Sequence, residues 1–173
     1  MPAPQPHLLT LANDLAEIPR AAAELESWAE SLELPMPDLM ALQLALEETI
    51  TNVINHGYRD QPPGTRSFTV EISAAQSGTG VPPVSDEASR LVVSASPASG
   101  SADTVRLVIT DDAPAYDPLA RPEVDTSLPL EDRPIGGLGV HLVKKLMTHA
   151  AYARRDGRNI LTLERVLGSV SPR

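Results

Sequence analysis

The chain has 173 residues, a net charge of −9 and no cysteine. Its length and its hydrophobic share of 42% suit one globular domain over residues 1–173. The missing cysteines exclude disulfides, cysteine–zinc sites and a catalytic thiol. Because phosphate backbones are bound by stripes of Lys and Arg, which this acidic chain lacks, we expect no nucleic acid as the main partner.

The segment 1–20 has no basic region followed by an apolar core, so we expect no signal peptide. No run in the sequence approaches the roughly 18 apolar residues of a membrane span. The sequence therefore predicts a cytoplasmic protein without membrane association.

The first third of the chain predicts one strand and two helices. Residues 7–12 have the pattern of a short strand, and a helix is predicted over residues 19–31, opened by a proline. The apolar face of this helix carries Ala22, Leu25, Trp28 and Ala29. After a Pro-Met-Pro break, Asp38 is the expected N-cap of a longer helix that runs to about His56, just before Gly57. The apolar stripe of this second helix consists of Leu39, Leu42, Leu46, Ile50 and Val53.

The middle of the chain predicts two strands, because apolar and polar residues alternate at 67–73 and again just before Asp111. Between these segments, residues 74–103 are rich in Ser, Gly, Pro and Ala and hold one short apolar run at 91–93. We expect a mostly flexible insertion there, with room for one extra strand.

The last third predicts a loop, a helix and a hairpin. Residues 117–135 hold four prolines and no periodicity, which is typical of a lid or a binding loop. A helical pattern follows at 136–149, and strands at 150–155 and 158–165 flank the turn pair Asp156-Gly157. The element order predicts an α+β fold, a two-layer sandwich in which an antiparallel or mixed sheet is covered on one face by helices.

The first candidate motif is a polar stripe on the second helix, formed by Glu48, Asn52 and His56 at a spacing of four residues. A carboxylate there can accept a proton from a hydroxyl or a water, and an amide oxygen is a hard ligand suited to Mg²⁺. The same stripe is also compatible with an ordinary solvated helix face.

The second candidate motif has the sequence DDAPAY at 111–116 and follows a predicted strand. A carboxylate at a strand end can accept a hydrogen bond from an exocyclic amine such as that of adenine, and small residues let a base approach the backbone. An acidic turn closed by Pro114 is the alternative interpretation.

The third candidate motif is GGLG at 136–139, which opens a predicted helix. Glycines at such a position expose backbone N–H groups at the positive end of the helix dipole, which suits phosphate. Lys144 and Lys145 lie further along this helix. The Rossmann and Walker glycine patterns are absent from the sequence, and a flexible hinge before a packed helix is the alternative.

Taken together, the order and spacing of the three motifs resemble the GHKL superfamily, in the form of its anti-sigma-factor serine/threonine kinases. The segment LEETITNVINHGY at 46–58 is similar to the N box of that family. The segments DDAPAYDP at 111–118 and GGLGVHLV at 136–143 are similar to its first and second glycine boxes. The resemblance extends from the first strand to the last hairpin, except for residues 74–103.

The resemblance implies a Bergerat-type α/β sandwich that binds ATP and Mg²⁺. It assigns Glu48 as the general base and Asn52 as the Mg²⁺ ligand. Asp111 matches the adenine-binding aspartate, and Gly137 and Gly139 match the phosphate-binding glycines. The further candidate ATP-binding residues are His56, Ala113, Ala115, Gly136, Leu138 and Val140.

The resemblance also implies partners. Members of the family phosphorylate a serine of a STAS-type anti-anti-sigma protein, and many bind a sigma factor when that antagonist is phosphorylated. A homodimer is a further expectation from the resemblance.

The sequence departs from the family pattern at Ala113, where the first glycine box usually has Gly. A methyl group there is expected to crowd the adenine or to demand a different backbone angle, so we expect weaker ATP binding. The insertion at 74–103 is a second departure, and the sequence offers no functional interpretation of it.

Two functions are compatible with these motifs. The first is a protein serine kinase that acts as a partner switch, which the Glu48/Asn52 pair favours. The second is a catalytically inactive module that senses nucleotide and binds a partner as an anti-sigma factor, which Ala113 favours. An ATPase subunit like those of chaperones, topoisomerases or mismatch repair would need further domains, and a histidine kinase would need a helix bearing the phosphorylated His; neither is expected here.

Overall fold

A computed structural model describes residues 5–75, 103–120 and 138–169 of the chain. The strands are β1 (His7–Ala12), β2 (Ser67–Ala75), β3 (Thr104–Asp111), β4 (His149–Arg155) and β5 (Arg158–Val166). The helices are α1 (Ile18–Glu30), α2 (Met36–Asn52) and α3 (Leu138–Leu146). The predicted α+β class is confirmed. Within the described ranges, no helix combines the length and the apolar character needed to cross a bilayer.

The five strands form one sheet in the order β1-β2-β3-β5-β4, and every pairing in its described part is antiparallel. Of the two arrangements expected, the antiparallel one is therefore found and the mixed one is not. The predicted turn joins β4 to β5, with positive φ at both Asp156 and Gly157, as a tight two-residue hairpin turn requires. The register places Asp111, at the end of β3, opposite Asn159 near the start of β5.

The hydrophobic core lies between one face of the sheet and the helices. Alternate residues of each central strand are buried, and the residues between them are less buried, so the helices cover one face. The most deeply buried side chains of the core include Leu11, Leu25, Leu42, Leu46, Ile50, Ile72, Leu107, Ile109 and Leu163. Burial of one such side chain contributes about 1.5–3 kcal/mol, so this layer supplies most of the favourable free energy of folding.

The apolar face of α1 is rotated slightly from its prediction. Ala21, rather than Ala22, is fully buried beside Leu25. The other three residues predicted for this face are buried, so the buried stripe of α1 consists of Ala21, Leu25, Trp28 and Ala29.

Asp38 is not the N-cap of α2, contrary to expectation. The helix begins at Met36, with Pro35 as its N-cap residue, so Asp38 lies inside the first turn. Its buried carboxylate accepts hydrogen bonds from Arg165 Nε at 2.7 Å and from the backbone N of Gly168 at 2.9 Å. The side chain takes part in a tertiary ion pair that neighbouring sequence does not reveal.

The helical backbone of α2 continues into a π-helical turn at Val53–Gly57. In this turn the backbone N of Tyr58 donates to the carbonyl of Val53 at 3.0 Å. Helical structure thus extends to Gly57, one residue beyond the predicted end at about His56, and its last turn is wider than an α-helical one. Such π turns are frequent at functional sites.

The helix predicted over 136–149 overshoots at its C-terminal end. α3 ends at Leu146, because His149 pairs with Glu164 as the first residue of β4. At the other end, residues 136 and 137 lie outside the described part of the chain.

The expected insertion is shorter than the predicted 74–103. Ala74 and Ala75 belong to β2, and the backbone N of Asp103 donates to the Ala75 carbonyl at 3.0 Å. The remainder, at 76–102, lies outside the described residues, and so does 121–135 of the predicted lid.

Candidate active site

A cleft of about 550 Å³, partly open to solvent, lies between the helix layer and the sheet. Its apolar lining consists of Val53, Ile109, Pro118, Leu119, Val140, Val143 and Leu161. Its polar lining consists of Thr49, Asn52, Asp111, Tyr116, Tyr152 and Asn159. A mostly apolar cleft with a few convergent polar groups is typical of a small-molecule site.

Asp111 provides a carboxylate within this cleft and is 8% exposed. Its Oδ1 accepts hydrogen bonds from Asn159 Nδ2 at 2.7 Å and from the backbone N of Ala113 at 2.9 Å. Burial raises the pKa of this carboxyl above its ordinary value, and the charge of Asp112 adds to the rise. The two hydrogen bonds and the Arg154 guanidinium oppose that rise in pKa.

The carboxylate of Asp112, the next residue, contacts a different set of side chains. It accepts a hydrogen bond from the Tyr58 hydroxyl at 2.6 Å and lies 3.6 Å from the Arg66 guanidinium. Burial, and then the hydrogen bond to Asp112, raises the pKa of Tyr58 well above its ordinary value. Asp112 lines a separate polar cleft together with Tyr58 and Arg66. Of the two adjacent carboxylates, Asp111 is the one in the main cleft.

Asn159 is a site residue that the sequence interpretation missed. It is 5% exposed, and its Nδ2 donates to Asp111 and to the carbonyls of Ala113 and Pro114, at 2.7, 3.3 and 3.1 Å. A signal was present in the sequence, because Asn159 is a polar residue in the register of β5 that also holds the buried Leu161 and Leu163. A buried amide must find hydrogen-bond partners, and those partners are the adenine-site candidates.

Ala113 does not line the main cleft. It is 2% exposed, and a Cβ added to Gly57 would come 3.0 Å from its methyl carbon. The methyl therefore packs against Gly57, at the end of the helical backbone of α2. Positive φ angles among the described non-glycine residues occur at Glu33 and Asp156, and Ala113 is not one of them. Ala113 thus has a backbone φ outside the left-handed region, and the effect of its methyl on ATP binding stays a prediction.

The first and third motifs meet where α2 contacts α3. Asn52 lines the cleft, and Glu48 lies one helical turn earlier on α2. A Cβ added to Gly139 would come 1.7 Å from Glu48 Oε2, so the carboxylate occupies the space that a side chain would take. The missing side chain of Gly139 is what allows Glu48 to approach α3.

His56 contacts the cleft wall rather than lining the cleft itself. Its ring centroid lies 5.5 Å from that of Tyr116, with 33° between the ring planes. Tyr116 lines the cleft. Ala115, the neighbouring candidate, is exposed.

The predicted phosphate-binding residues are only partly described. Leu138 is the first residue of α3, and Val140 lines the cleft, whereas Gly136 and Gly137 lie outside the described residues.

The two lysines of α3 have different surroundings. Lys144 Nζ donates to the carbonyl of Leu119 at 2.7 Å, which ties α3 to the segment after β3, and Lys145 is exposed.

The chemistry of the cleft fits a purine nucleotide. The carboxylate of Asp111 suits an exocyclic amine, the apolar walls suit a planar base, and Asn52 offers a hard oxygen beside α3. In the described part of the chain, no group of three or more His, Cys, Asp or Glu residues is placed to hold a metal ion.

Comparison with known proteins agrees with this geometry. The sequence matches the family model of the histidine kinase-like ATPase domain over residues 11–165. The chain therefore belongs to the histidine kinase-like ATPase domain family, and membership of an ATPase family implies an ATP site.

Among solved structures, the fold is similar to the crystal structure of the RsbU and RsbW domains of Rv1364c from Mycobacterium tuberculosis, with a TM-score of 0.55 and 18% identity. The match covers 95% of this chain and 33% of that one, so the present chain spans about a third of the relative's length. At this identity the similarity shows the fold. Comparison with curated proteins gives no match.

Proposed function

We propose that the chain is an ATP-dependent protein serine kinase of the anti-sigma-factor type, which phosphorylates a STAS-type anti-anti-sigma protein. The observation that carries the proposal is the meeting of Asn52, Glu48 and Gly139 beside a cleft that also holds Asp111. These residues come from three distant segments of the chain, and each matches its assigned position in the family motifs. The RsbW domain of the structural relative supports the choice of this class within the wider ATPase family.

In this proposal Asp111 accepts a hydrogen bond from the adenine amino group, and the apolar walls of the cleft exclude water from the base. Asn52 would hold Mg²⁺ through its amide oxygen. Bound Mg²⁺ supplies charge neutralisation on the phosphates.

Glu48 would accept the proton of the substrate serine hydroxyl. The bond from that oxygen to the γ-phosphorus forms as the bond to the β–γ bridging oxygen breaks. Phosphate thereby passes to the serine and ADP remains. Positioning and electrostatics supply most of the rate in such transfers, so the placement of Glu48 against Gly139 matters as much as its basicity.

The alternative, a nucleotide-sensing module without kinase activity, depended mainly on Ala113. Because that methyl packs against Gly57 rather than in the cleft, it gives little reason to doubt catalysis. The kinase proposal is therefore preferred, with a sigma factor as a further proposed partner.

The proposal is tested by incubating the purified chain with γ-labelled ATP, Mg²⁺ and STAS-domain proteins from the same source. We expect label on one serine of a STAS partner and none when that serine is changed to alanine. Tight ATP binding without transfer to any STAS protein would instead support the non-catalytic alternative.

The metal assignment has its own test. If Asn52 holds Mg²⁺, Asn52→Ala should lose the metal dependence of nucleotide binding, measured by calorimetry with and without Mg²⁺. An equal effect of Mg²⁺ on the variant and on the parent would make Asn52 an ordinary polar helix residue.

A further inference from the structure

The Asn159 side chain is held from both ends by groups that fix the orientation of its amide. The Tyr152 hydroxyl donates to Oδ1 at 2.8 Å, and the Arg154 guanidinium donates to the same oxygen at 2.6 Å. A guanidinium can only donate hydrogen bonds, so the atom that it meets must be the amide oxygen. The amide NH₂ group must then face Asp111.

This orientation controls which atoms of Asp111 remain for a ligand. Among the described residues, both hydrogen bonds to the Asp111 carboxylate go to Oδ1. Oδ2 is left for a donor within the cleft. An amide rotated by 180° would place its oxygen against Oδ1 and repel the ionised carboxylate.

Arg154 is exposed on β4, yet its NH1 also donates to the carbonyl of Ala113 at 3.0 Å. It therefore joins β4 to β5 and to the segment that follows Asp111. No motif of the sequence drew attention to it, because its contacts depend on the strand register.

We propose that Arg154 is a positioning residue for base recognition, which acts through Asn159 to hold the Asp111 carboxylate turned toward the amino group of an adenine base. The inference rests on the proposed function, because it takes Asp111 as the adenine contact. It adds to that function a surface residue that determines nucleotide specificity without touching the nucleotide.

The charges around Asp111 set the sign of the expected pH dependence. Burial is the main cause that raises the pKa of Asp111, and the charge of Asp112 on the same segment adds to the rise. The amide of Asn159 on β5 lowers this pKa, and the charge of Arg154 on β4 lowers it to a smaller extent. The other titratable groups lining the cleft are Tyr116 and Tyr152. Loss of Arg154 removes a positive charge that favours the ionised carboxylate, so Asp111 should protonate at a higher pH.

The test compares Mg-ADP with the diphosphate of purine riboside, which lacks the 6-amino group, by calorimetry over a pH series. Arg154→Met should reduce the preference for ADP about fivefold, the scale of one net hydrogen bond. The acid limb of ADP binding, which is the low-pH range over which the affinity falls, should also move to higher pH. A purely structural role would weaken both ligands equally and leave the acid limb in place.

Two further variants distinguish the possible failures. Arg158→Met removes an equal charge from the same hairpin and should leave the ADP preference unchanged. In an Asn159→Leu background, at a pH where Asp111 is fully ionised, Arg154→Met should cause no further loss of the ADP preference, and a further fivefold loss would overturn the role of Asn159 as intermediary. If the parent shows no preference for ADP, the adenine assignment of the proposed function fails; if it does and Arg154→Met keeps it, this inference alone fails.

Discussion

Two adjacent carboxylates at the end of β3 show how strongly position alters the role of a single residue. Asp111 is buried in the main cleft, whereas Asp112 is exposed and contacts Tyr58 and Arg66. Burial raises the pKa of Asp111, so ionisation of its carboxyl is less favourable in the folded, nucleotide-free protein than in the unfolded chain. A polar group held at such a cost to stability is typical of a binding site.

Asp111→Asn should weaken ATP binding by one to three orders of magnitude, at about 1.4 kcal/mol per tenfold. The amide replaces an acceptor with a donor at the atom that faces the adenine amino group. Calorimetric titration measures the loss, with Asp112→Asn as the matched control. Equal losses in the two variants would show that the adenine contact is not specific to Asp111.

The same substitution should alter stability with a defined sign. The pKa of Asp111 is higher in the folded protein than in the unfolded chain. Its carboxyl group therefore contributes to the stability of the fold at pH values below the unfolded pKa, and this contribution is lost as the pH rises through the folded pKa. The nucleotide-free Asp111→Asn variant should therefore melt at a higher temperature than the parent at pH 7. Thermal melts in acid should show this advantage shrinking, and a constant advantage would contradict the linkage to ionisation.

Gly139→Ala tests the contact between α3 and Glu48. In a helix this change ordinarily stabilises by up to about 1 kcal/mol. Here the new Cβ would come 1.7 Å from Glu48 Oε2, so the flexible end of the Glu48 side chain must move; the variant should lose that ordinary gain in stability and should transfer phosphate more slowly.

A double-mutant cycle isolates that contact. In a Glu48→Ala background, Gly139→Ala should become stabilising in denaturant unfolding, because the blocking carboxylate is gone. The same effect on stability in both backgrounds would mean that Gly139 is needed for a reason unrelated to Glu48.

At the scale of elements, the end of the α2 backbone packs on the segment after β3 through Gly57 and Ala113. Ala113→Gly should therefore leave ATP affinity within about threefold of the parent, since no methyl is withdrawn from the cleft. Gly57→Ala should destabilise the fold, and adding Ala113→Gly should restore much of the loss. Tighter ATP binding by Ala113→Gly alone, in calorimetry, would revive the view that this methyl crowds the adenine.

The elements themselves were largely predictable, because their signals are local. Alternation located β3, and the Asp156-Gly157 pair located the hairpin. The errors arose where distant partners decide the outcome. Asp38 resembles a helix cap in sequence, yet its carboxylate accepts a hydrogen bond from Arg165, which is far along the chain. His149 continues a helical pattern in the sequence, yet it pairs with Glu164 of β5 and is therefore part of strand β4.

The candidate site was predictable in part for the same reason. Asp111, Asn52 and Val140 follow from motifs, and all three line the cleft. Asn159 and Arg154 were missed, because their importance depends on a register between β3 and β5 that no local pattern encodes.

At the scale of the whole molecule, the site depends on how α3 is held against the remaining structure. Arg165 donates to the Leu146 carbonyl at the end of α3 and pairs with Asp38 in the first turn of α2. Lys144 ties the same helix to the segment after β3. These contacts join α3 to the rest of the fold, and its second residue, Gly139, lies beside Glu48, as the proposed transfer requires.

The measurement that tests the central claim most directly is single-turnover phosphate transfer by Glu48→Gln, with Glu47→Gln as its control. Glu47 is exposed and lies about 100° around the helix from Glu48. Glu48→Gln should bind Mg-ATP within a few-fold of the parent yet transfer phosphate at least about a hundredfold more slowly, the usual scale of a general base, while Glu47→Gln should be nearly silent. Equal transfer rates in the two variants, or loss of ATP binding in Glu48→Gln, would contradict the assignment of Glu48 as the base of a protein kinase.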